Sequence, residues 1–91
     1  MNKRVHVYIH GDVTGVNFRY WTAQNAKRLG LTGWVRNADR GLVEAVFEGE
    51  EEVVKKMLEK CHKGPEIAWV KKVDIDWQET KGEYLDFEIR Y

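Results

Sequence analysis

Apolar and polar residues alternate along several short segments of this 91-residue chain, a pattern typical of strands with one buried face. Residues 3–10 form the first such segment, and its apolar side chains are expected to point to one side: Val5, Val7 and Ile9. Residues 31–37 and 42–48 are also strand-like. The four residues between them predict a hairpin turn: Ala38, Asp39, Arg40 and Gly41.

Two further strands are predicted towards the end of the chain. The first carries four apolar residues that we expect on a single face: Trp69, Val73, Ile75 and Trp77. The second has four apolar residues in phase: Leu85, Phe87, Ile89 and Tyr91. Both segments are therefore expected to contribute one face to the core.

Two other stretches have helical spacing. Between residues 20 and 29 three residues recur on one side, with Gly30 placed as the C-cap: Thr22, Ala26 and Leu29. A clearer stripe follows in the second half of the chain: Val54, Met57, Leu58 and Cys61. Glutamates at 50–52 suit the start of this second helix, and Gly64-Pro65 would stop it.

The order β-α-β-β-α-β, plus a short C-terminal strand, predicts an α+β fold. Right-handed crossovers that interleave give the ferredoxin-like split βαβ sandwich, with strand order 4-1-3-2 and two helices on one face of an antiparallel or mixed sheet. Strands 1 and 2 then run parallel and end at the same edge, about 10 Å apart with strand 3 between them. We expect residues 1–91 to form a single domain.

Composition excludes several classes of protein. Lys and Arg number 15, as do Asp and Glu, and a net charge of zero argues against a general nucleic-acid binder. No apolar run approaches the roughly 18 residues of a membrane span, and the first residues enter a strand pattern in place of a signal peptide. The single cysteine favours a reducing cytoplasm. Serine is absent, which excludes a serine nucleophile.

The neutral total conceals local blocks of charge. Residues 11–40 contain five Lys or Arg and two Asp or Glu, a local net charge of +3, together with four of the eight glycines. Most such blocks are solvated faces. This block nevertheless indicates where a small anion would be sought.

One loop in this block is a candidate anion site. Residues 11–19 read Gly-Asp-Val-Thr-Gly-Val-Asn-Phe-Arg and connect the first strand to the first helix. Such turns aim backbone N–H groups into one concavity, and the helix dipole adds positive potential. The planar guanidinium of Arg19 is suited to holding a phosphate at two points. A turn with two glycines is often only a turn, so this stretch alone leaves both interpretations open.

The same residues carry a resemblance to a known family. The loop resembles the acylphosphatase signature G-x-V-Q-G-V-x-F-R, with Thr14 where the family usually has Gln. Residues 33–44, which begin Gly-Trp-Val-Arg-Asn and end Val-Glu, resemble the second signature, G-W-V-x-N-x-x-x-G-x-V-E. Residues 87–91 are similar to the ends of acylphosphatases. Two long motifs at the right separation make the resemblance specific.

The resemblance implies hydrolysis of the carboxyl–phosphate bond of acyl phosphates to a carboxylate and inorganic phosphate, with no metal and no cofactor. It implies that one run of residues binds the phosphoryl group: Thr14, Gly15, Val16, Asn17, Phe18 and Arg19. Arg19 is also implied to be catalytic, and Asn37 is implied to orient the attacking water. The sheet-edge argument independently brings Arg19 and Asn37 together.

These residues suit the chemistry. An acyl phosphate is already activated, so positioning and charge stabilisation do most of the work of phosphoryl transfer. Asn37 is a poor base that can place a water without deprotonating it, and the substrate phosphate is one candidate for the base. If the Gln amide usual at position 14 contacts loop or substrate, Thr14 lowers the rate; if it only shapes the loop, Thr14 can replace it.

We expect a cytoplasmic monomer whose partner is a small acyl phosphate, with no nucleic acid and no membrane. An RNA-binding module of the RRM type is one alternative, since strand 3 begins Arg40-Gly41, but the stacking aromatics are missing. An acylphosphatase-like module without activity is another.

Other reactive residues are interpreted as structural. His6 and His10 are expected to be exposed on the sheet face away from the helices, with no third metal ligand nearby. Cys61 is expected to be a buried core thiol and not a nucleophile. The four tryptophans are also interpreted as structural, although Trp34 is expected to lie close to the candidate site.

Overall fold

The computed structural model describes residues 1–15 and 17–91, and in these residues the chain forms a five-stranded sheet with two helices on one face. The strands are β1 (Asn2–Asp12), β2 (Thr32–Asn37), β3 (Val43–Glu50), β4 (Trp69–Gln78) and β5 (Phe87–Arg90), and the helices are α1 (Phe18–Arg28) and α2 (Glu51–Lys63). The sheet order is β4-β1-β3-β2-β5, with β5 parallel to β2. The predicted ferredoxin-like split βαβ fold and its mixed sheet are confirmed.

The core lies between the sheet and the helices. β1 contributes the three alternating residues predicted from the sequence, all fully buried: Val5, Val7 and Ile9. The apolar stripe of α2 is buried opposite them, as expected: Val54, Met57, Leu58 and Cys61. Burial raises the pKa of the Cys61 thiol to about 12, so this residue is an inert core group, as predicted.

Helix α1 begins at Phe18, two residues earlier than predicted, and its end matches the prediction. The N–H of Leu31 donates to the carbonyl of Ala26 at 2.9 Å, and the N–H of Gly30 donates to Lys27 at 3.0 Å. These two bonds form a Schellman motif, the ordinary way to satisfy the last carbonyls of a helix.

A glycine in β2 holds the C-terminal strand in place. Gly33 pairs with Phe47 on β3 and with Phe87 on β5. Because Gly33 has no side chain, the two phenylalanine rings stack across it, with centroids 5.5 Å apart and planes 12° from parallel. A Cβ at this position would lie 1.9 Å from the carbonyl oxygen of Val46, and the φ of +134° disfavours any L side chain. Position 33 therefore requires glycine.

Five of the eight apolar residues predicted to form the buried faces of the last two strands are exposed: Trp69, Ile75, Trp77, Leu85 and Tyr91. Trp69 is 62% exposed, because the pairing of β1 with β4 shifts register between His10 and Gly11. This irregularity interrupts the alternation of faces, and Val70 packs against the core in place of Trp69. Leu85 is 99% exposed and precedes β5, which begins at Phe87.

The face of the sheet opposite the helices is partly covered by residues 79–86, which form the outer segment. The backbone N–H groups of Lys81 and Gly82 donate to the carboxylate of Glu48 at 3.2 and 2.8 Å. The indole Nε1 of Trp34 donates to the hydroxyl of Tyr84 at 3.1 Å. These contacts bury Glu48 and Trp34, although simple alternation in β3 would leave a glutamate exposed.

Glu44 forms a second buried cluster on this outer face and is only 4% exposed. Its carboxylate accepts hydrogen bonds from Arg36 Nε at 2.6 Å and from Tyr8, and it pairs with His6 Nε2 at 2.7 Å. Burial by itself would raise the pKa of Glu44, but these hydrogen bonds outweigh burial and the net pKa is lowered.

The two histidines lie on the predicted face but are less exposed than expected. Each histidine keeps a quarter of its side chain exposed. His6 contacts the carboxylate of Glu44 and His10 contacts that of Asp74, both at 2.7 Å.

Among the residues described, no helix has the length and apolar character needed to cross a bilayer.

We expect Glu44→Gln to destabilise the protein by about 1–3 kcal/mol at pH 7, because a buried carboxylate with charged donors is lost. The pKa of Glu44 is lower in the folded protein than in the unfolded chain, where it is near 4.3. The stabilisation is therefore present above the unfolded-state pKa and is lost as the pH falls through the folded-state pKa. The difference in unfolding free energy between wild type and variant should therefore shrink below about pH 4.

Urea unfolding at pH 7 and pH 3 measures this difference. Glu88→Gln is the matched control, since Glu88 pairs with Arg90 at the exposed edge of the sheet and should cost less than about 1 kcal/mol. An equal loss for Glu44→Gln at both pH values would contradict the assignment.

Candidate functional site

A cavity of about 330 Å³ lies at the edge of the sheet where β1 and β2 end. It combines residues from the β1–α1 loop, the first turn of α1, and the ends of β2 and β5. The lining residues are Val13, Gly15, Asn17, Phe18, Arg19, Tyr20, Asn37, Ile89 and Tyr91. Residues far apart in sequence thus meet at one concave surface, as the parallel arrangement of strands 1 and 2 predicts.

The loop enters helix α1 through two left-handed residues. Gly15 has φ +74° and Asn17 has φ +63°. The first helical hydrogen bond runs from the N–H of Trp21 to the carbonyl of Asn17 at 3.0 Å. The preceding N–H groups of the first turn therefore have no partner within the helix.

The positive end of α1 is left without a protein anion. In the part of the chain described, the side chain of Asn17 makes no capping hydrogen bond and no acidic residue stands in the first turn. Unpaired N–H groups and the helix dipole together favour a bound anion at this position.

Phe18 anchors this end of the helix. Its side chain is fully buried, and its ring lies 5.2 Å from that of Trp21. Its backbone meanwhile forms part of the first turn at the cavity. Phe18 therefore fixes the helix N-terminus against the core while its backbone faces the cavity.

Arg19 supplies a full positive charge to the cavity. Its guanidinium carbon lies 4.8 Å from the ring centroid of Tyr91, a cation–π contact with a largely exposed ring. No carboxylate lies within ion-pair distance of Arg19 in residues 1–15 and 17–91. The charge of Arg19 is thus available to an anion.

Asn37 lines the same cavity from the other side. It is the last residue of β2 and pairs with Val43 of β3, and its side chain is exposed. The neighbouring hairpin is closed by the N–H of Ala38, which donates to the carbonyl of Leu42 at 2.8 Å. The rigid end of the β2–β3 ladder therefore positions an amide that can donate and accept hydrogen bonds.

The cavity is positive and has no obvious base. Its ionisable lining residues are Arg19, Tyr20 and Tyr91, and no His, Asp or Glu is found among the lining residues described. In the same part of the chain, no group of three or more such side chains is arranged to hold a metal ion. The arrangement can bind and polarise a phosphate-sized anion through N–H groups and a guanidinium.

The structure brings most of the predicted site residues to this cavity. Five line it: Gly15, Asn17, Phe18, Arg19 and Asn37. Thr14 lies half-buried in the preceding turn and does not line it. Val16 lies outside the residues that the structure describes.

Three lining residues were missed by sequence reasoning, namely Tyr20, Ile89 and Tyr91, whereas Val13 belongs to the predicted loop 11–19. Ile89 and Tyr91 reach the cavity because β5 runs parallel to β2 and ends at the same edge. The similarity of residues 87–91 to a family ending was a signal, but the pairing of that strand was not predicted.

Fold and site together define a small split βαβ protein with a cavity suited to an anion at a helix N-terminus beside one arginine. The family model for acylphosphatases matches residues 5–89. An acylphosphatase of Trichormus variabilis is 52% identical over 87 residues, covering 96% of this chain and 85% of the relative. One from Geobacter sulfurreducens is 46% identical over 91 residues and the full length of both chains.

Solved structures agree with the sequence relatives. The crystal structure of an acylphosphatase from Bacillus subtilis superposes with a TM-score of 0.93 at 30% identity and covers all of both chains. The structure of an acylphosphatase from Coxiella burnetii gives a TM-score of 0.92 at 36% identity, covering 98% of this chain and 93% of that one. The chain belongs to the acylphosphatase family.

We expect Tyr91→Leu to weaken binding of inorganic phosphate about two- to fivefold, because it removes the ring that contacts the guanidinium of Arg19. Tyr91→Phe keeps the ring and should bind phosphate like the wild type. Isothermal titration calorimetry at low ionic strength measures both variants. Equal affinity of Tyr91→Leu and wild type would show that the ring does not support Arg19.

Proposed function

We propose that this protein hydrolyses acyl phosphates in the cavity at the N-terminus of α1. One observation carries the proposal: Arg19 and Asn37, from different elements, line one positive cavity beside unpaired helical N–H groups. Membership of the acylphosphatase family supports it.

The phosphoryl group binds to the loop and the first turn of α1. Backbone N–H groups there contact its oxygens, and Gly15 and Asn17 give the backbone the left-handed turn that this requires. Arg19 grips two oxygens with its planar guanidinium. Thr14 does not line the cavity, and its side chain is assigned the role of shaping the turn.

The reaction is an in-line displacement at phosphorus. The water oxygen forms a bond to phosphorus while the bond from phosphorus to the bridging oxygen breaks, and the acyl group leaves as a carboxylate. Arg19 neutralises charge on the equatorial oxygens, and the amide of Asn37 orients the water. Because a carboxylate is a good leaving group, no metal or cofactor is needed.

The proton of the attacking water goes to an oxygen of the substrate phosphoryl group. The lining side chains described include no His, Asp or Glu, and Asn37 is a poor base. The phosphoryl oxygens of the substrate are therefore the proposed proton acceptor.

The chain acts as one domain and as a monomer in the cytoplasm. The family match over residues 5–89 supports a single domain, and the described cavity is lined from one chain. The single, buried cysteine suits a reducing compartment. Sedimentation equilibrium at micromolar concentration checks the monomer, and a dimer mass would contradict it.

Purified protein should hydrolyse benzoyl phosphate at an unchanged rate in the presence of EDTA, because neither binding nor catalysis uses a metal. The loss of substrate absorbance measures turnover directly. Absence of turnover would overturn the proposed function, and loss of turnover on chelation would overturn its metal-free form.

The variant Arg19→Lys tests whether turnover takes place in this cavity. An ammonium keeps the charge but cannot grip two oxygens, so turnover should fall by about 10²-fold or more. Arg90→Lys, on exposed β5, is the matched control and should retain activity. Near-normal turnover of Arg19→Lys would contradict the assigned role.

We expect Asn37→Ala to lower kcat by about 10²-fold with little change in KM, because a misplaced water slows only the chemical step. Asn2→Ala, at the exposed start of β1, serves as the control. A change confined to KM would instead place Asn37 in substrate binding.

A further inference from the structure

A second cavity adjoins the proposed active site along helix α1. Its volume is about 410 Å³, and it shares Asn17 and Tyr20 with the site cavity. The other lining residues come from α1 and from the segment before β4: Trp21, Gln24, Asn25, Arg28, Pro65 and Ile67. We call this cavity the α1 groove.

The near part of the α1 groove is apolar. Tyr20, Trp21, Pro65 and Ile67 all line it, and Ile67 is 72% exposed. An exposed isoleucine that lines the same cavity as two aromatic side chains offers an apolar ligand a surface from which water is displaced.

The length of the α1 groove follows from the helix. Tyr20, Gln24 and Arg28 recur at i, i+4 and i+8, so they lie on one side of α1. At 1.5 Å per residue the distance from Tyr20 to Arg28 along the axis is about 12 Å. The groove thus extends from the phosphate end of α1 to a basic residue at the far end.

The other flank of the site has a different character. A cavity of about 360 Å³ shares Asn37 with the site and is lined by the charged side chains of Arg36, Arg40, Asp39 and Glu44. The proposed active site therefore lies between a charged flank at Asn37 and an apolar flank at Asn17 and Tyr20.

We propose that the α1 groove binds the acyl group of the substrate and favours apolar acyl chains. This inference rests on the proposed function. In an in-line displacement the attacking water and the leaving group lie on opposite sides of phosphorus. Because Asn37 orients the water from the charged flank, the leaving carboxylate points towards Asn17 and Tyr20, and its chain enters the groove.

Straight-chain acyl phosphates test this directly. Acetyl and hexanoyl carboxylates are nearly equal leaving groups, so a difference between them reports on binding of the chain. Full burial of one methylene raises affinity about fourfold, and burial in a half-open groove should raise it about twofold per methylene. Four extra methylenes should therefore lower KM roughly 16-fold for hexanoyl phosphate.

Ile67→Ser locates the effect in the groove. This variant should reduce the preference for hexanoyl over acetyl phosphate to about threefold while leaving acetyl phosphate kinetics unchanged. Leu85→Ser is the matched control, because Leu85 is also an exposed aliphatic residue and lies in the outer segment, outside the lining of the groove. It should keep the full preference.

The outcomes separate the two proposals. A protein inactive on both acyl phosphates overturns the proposed function and this inference together. An active protein with equal KM for both overturns the acyl-binding role alone. A preference that survives Ile67→Ser, or is lost in Leu85→Ser, overturns the placement of the chain in the α1 groove.

Discussion

The stacking of Phe47 on Phe87 across Gly33 is the contact on which the geometry of the site depends. It sets the parallel pairing of β5 with β2, so that Ile89 and Tyr91 arrive at the edge where α1 begins. Strand β5 is only four residues long, and its backbone hydrogen bonds alone would fix its register less strongly than they do together with this contact. A core contact remote from the chemistry thus brings the ring of Tyr91 to Arg19.

The distribution of charge explains how a protein of zero net charge can attract an anion. Glu44 and Glu48 are buried on the outer face, where Arg36 and two backbone N–H groups satisfy them. Arg19 has no such partner among the described residues and lies at the positive end of α1. The acids are therefore neutralised away from the cavity, and the local potential, not the total charge, decides what binds.

Sequence patterns predicted most of the fold because periodicity reports directly on burial. The stripe ending at Cys61 and the alternation around Val7 are unambiguous, and the crossover rule then allowed few topologies. The errors have local causes. Trp69 lies on the face opposite to the predicted one, because the pairing of β1 with β4 is irregular. Glu48 is buried by the outer segment, whereas alternation alone predicts that it is exposed.

The sequence by itself determined the motifs, the elements and the edge at which Arg19 and Asn37 meet, because chain order and handedness constrain where strands end. The tertiary structure alone decided which neighbours complete the cavity. Tyr91 and Ile67 lie far from Arg19 in sequence, and their positions depend on strand pairing and packing between elements. The signature residues are those proposed to bind the phosphate, whereas the surface beside them is created only when α1 packs near the segment before β4.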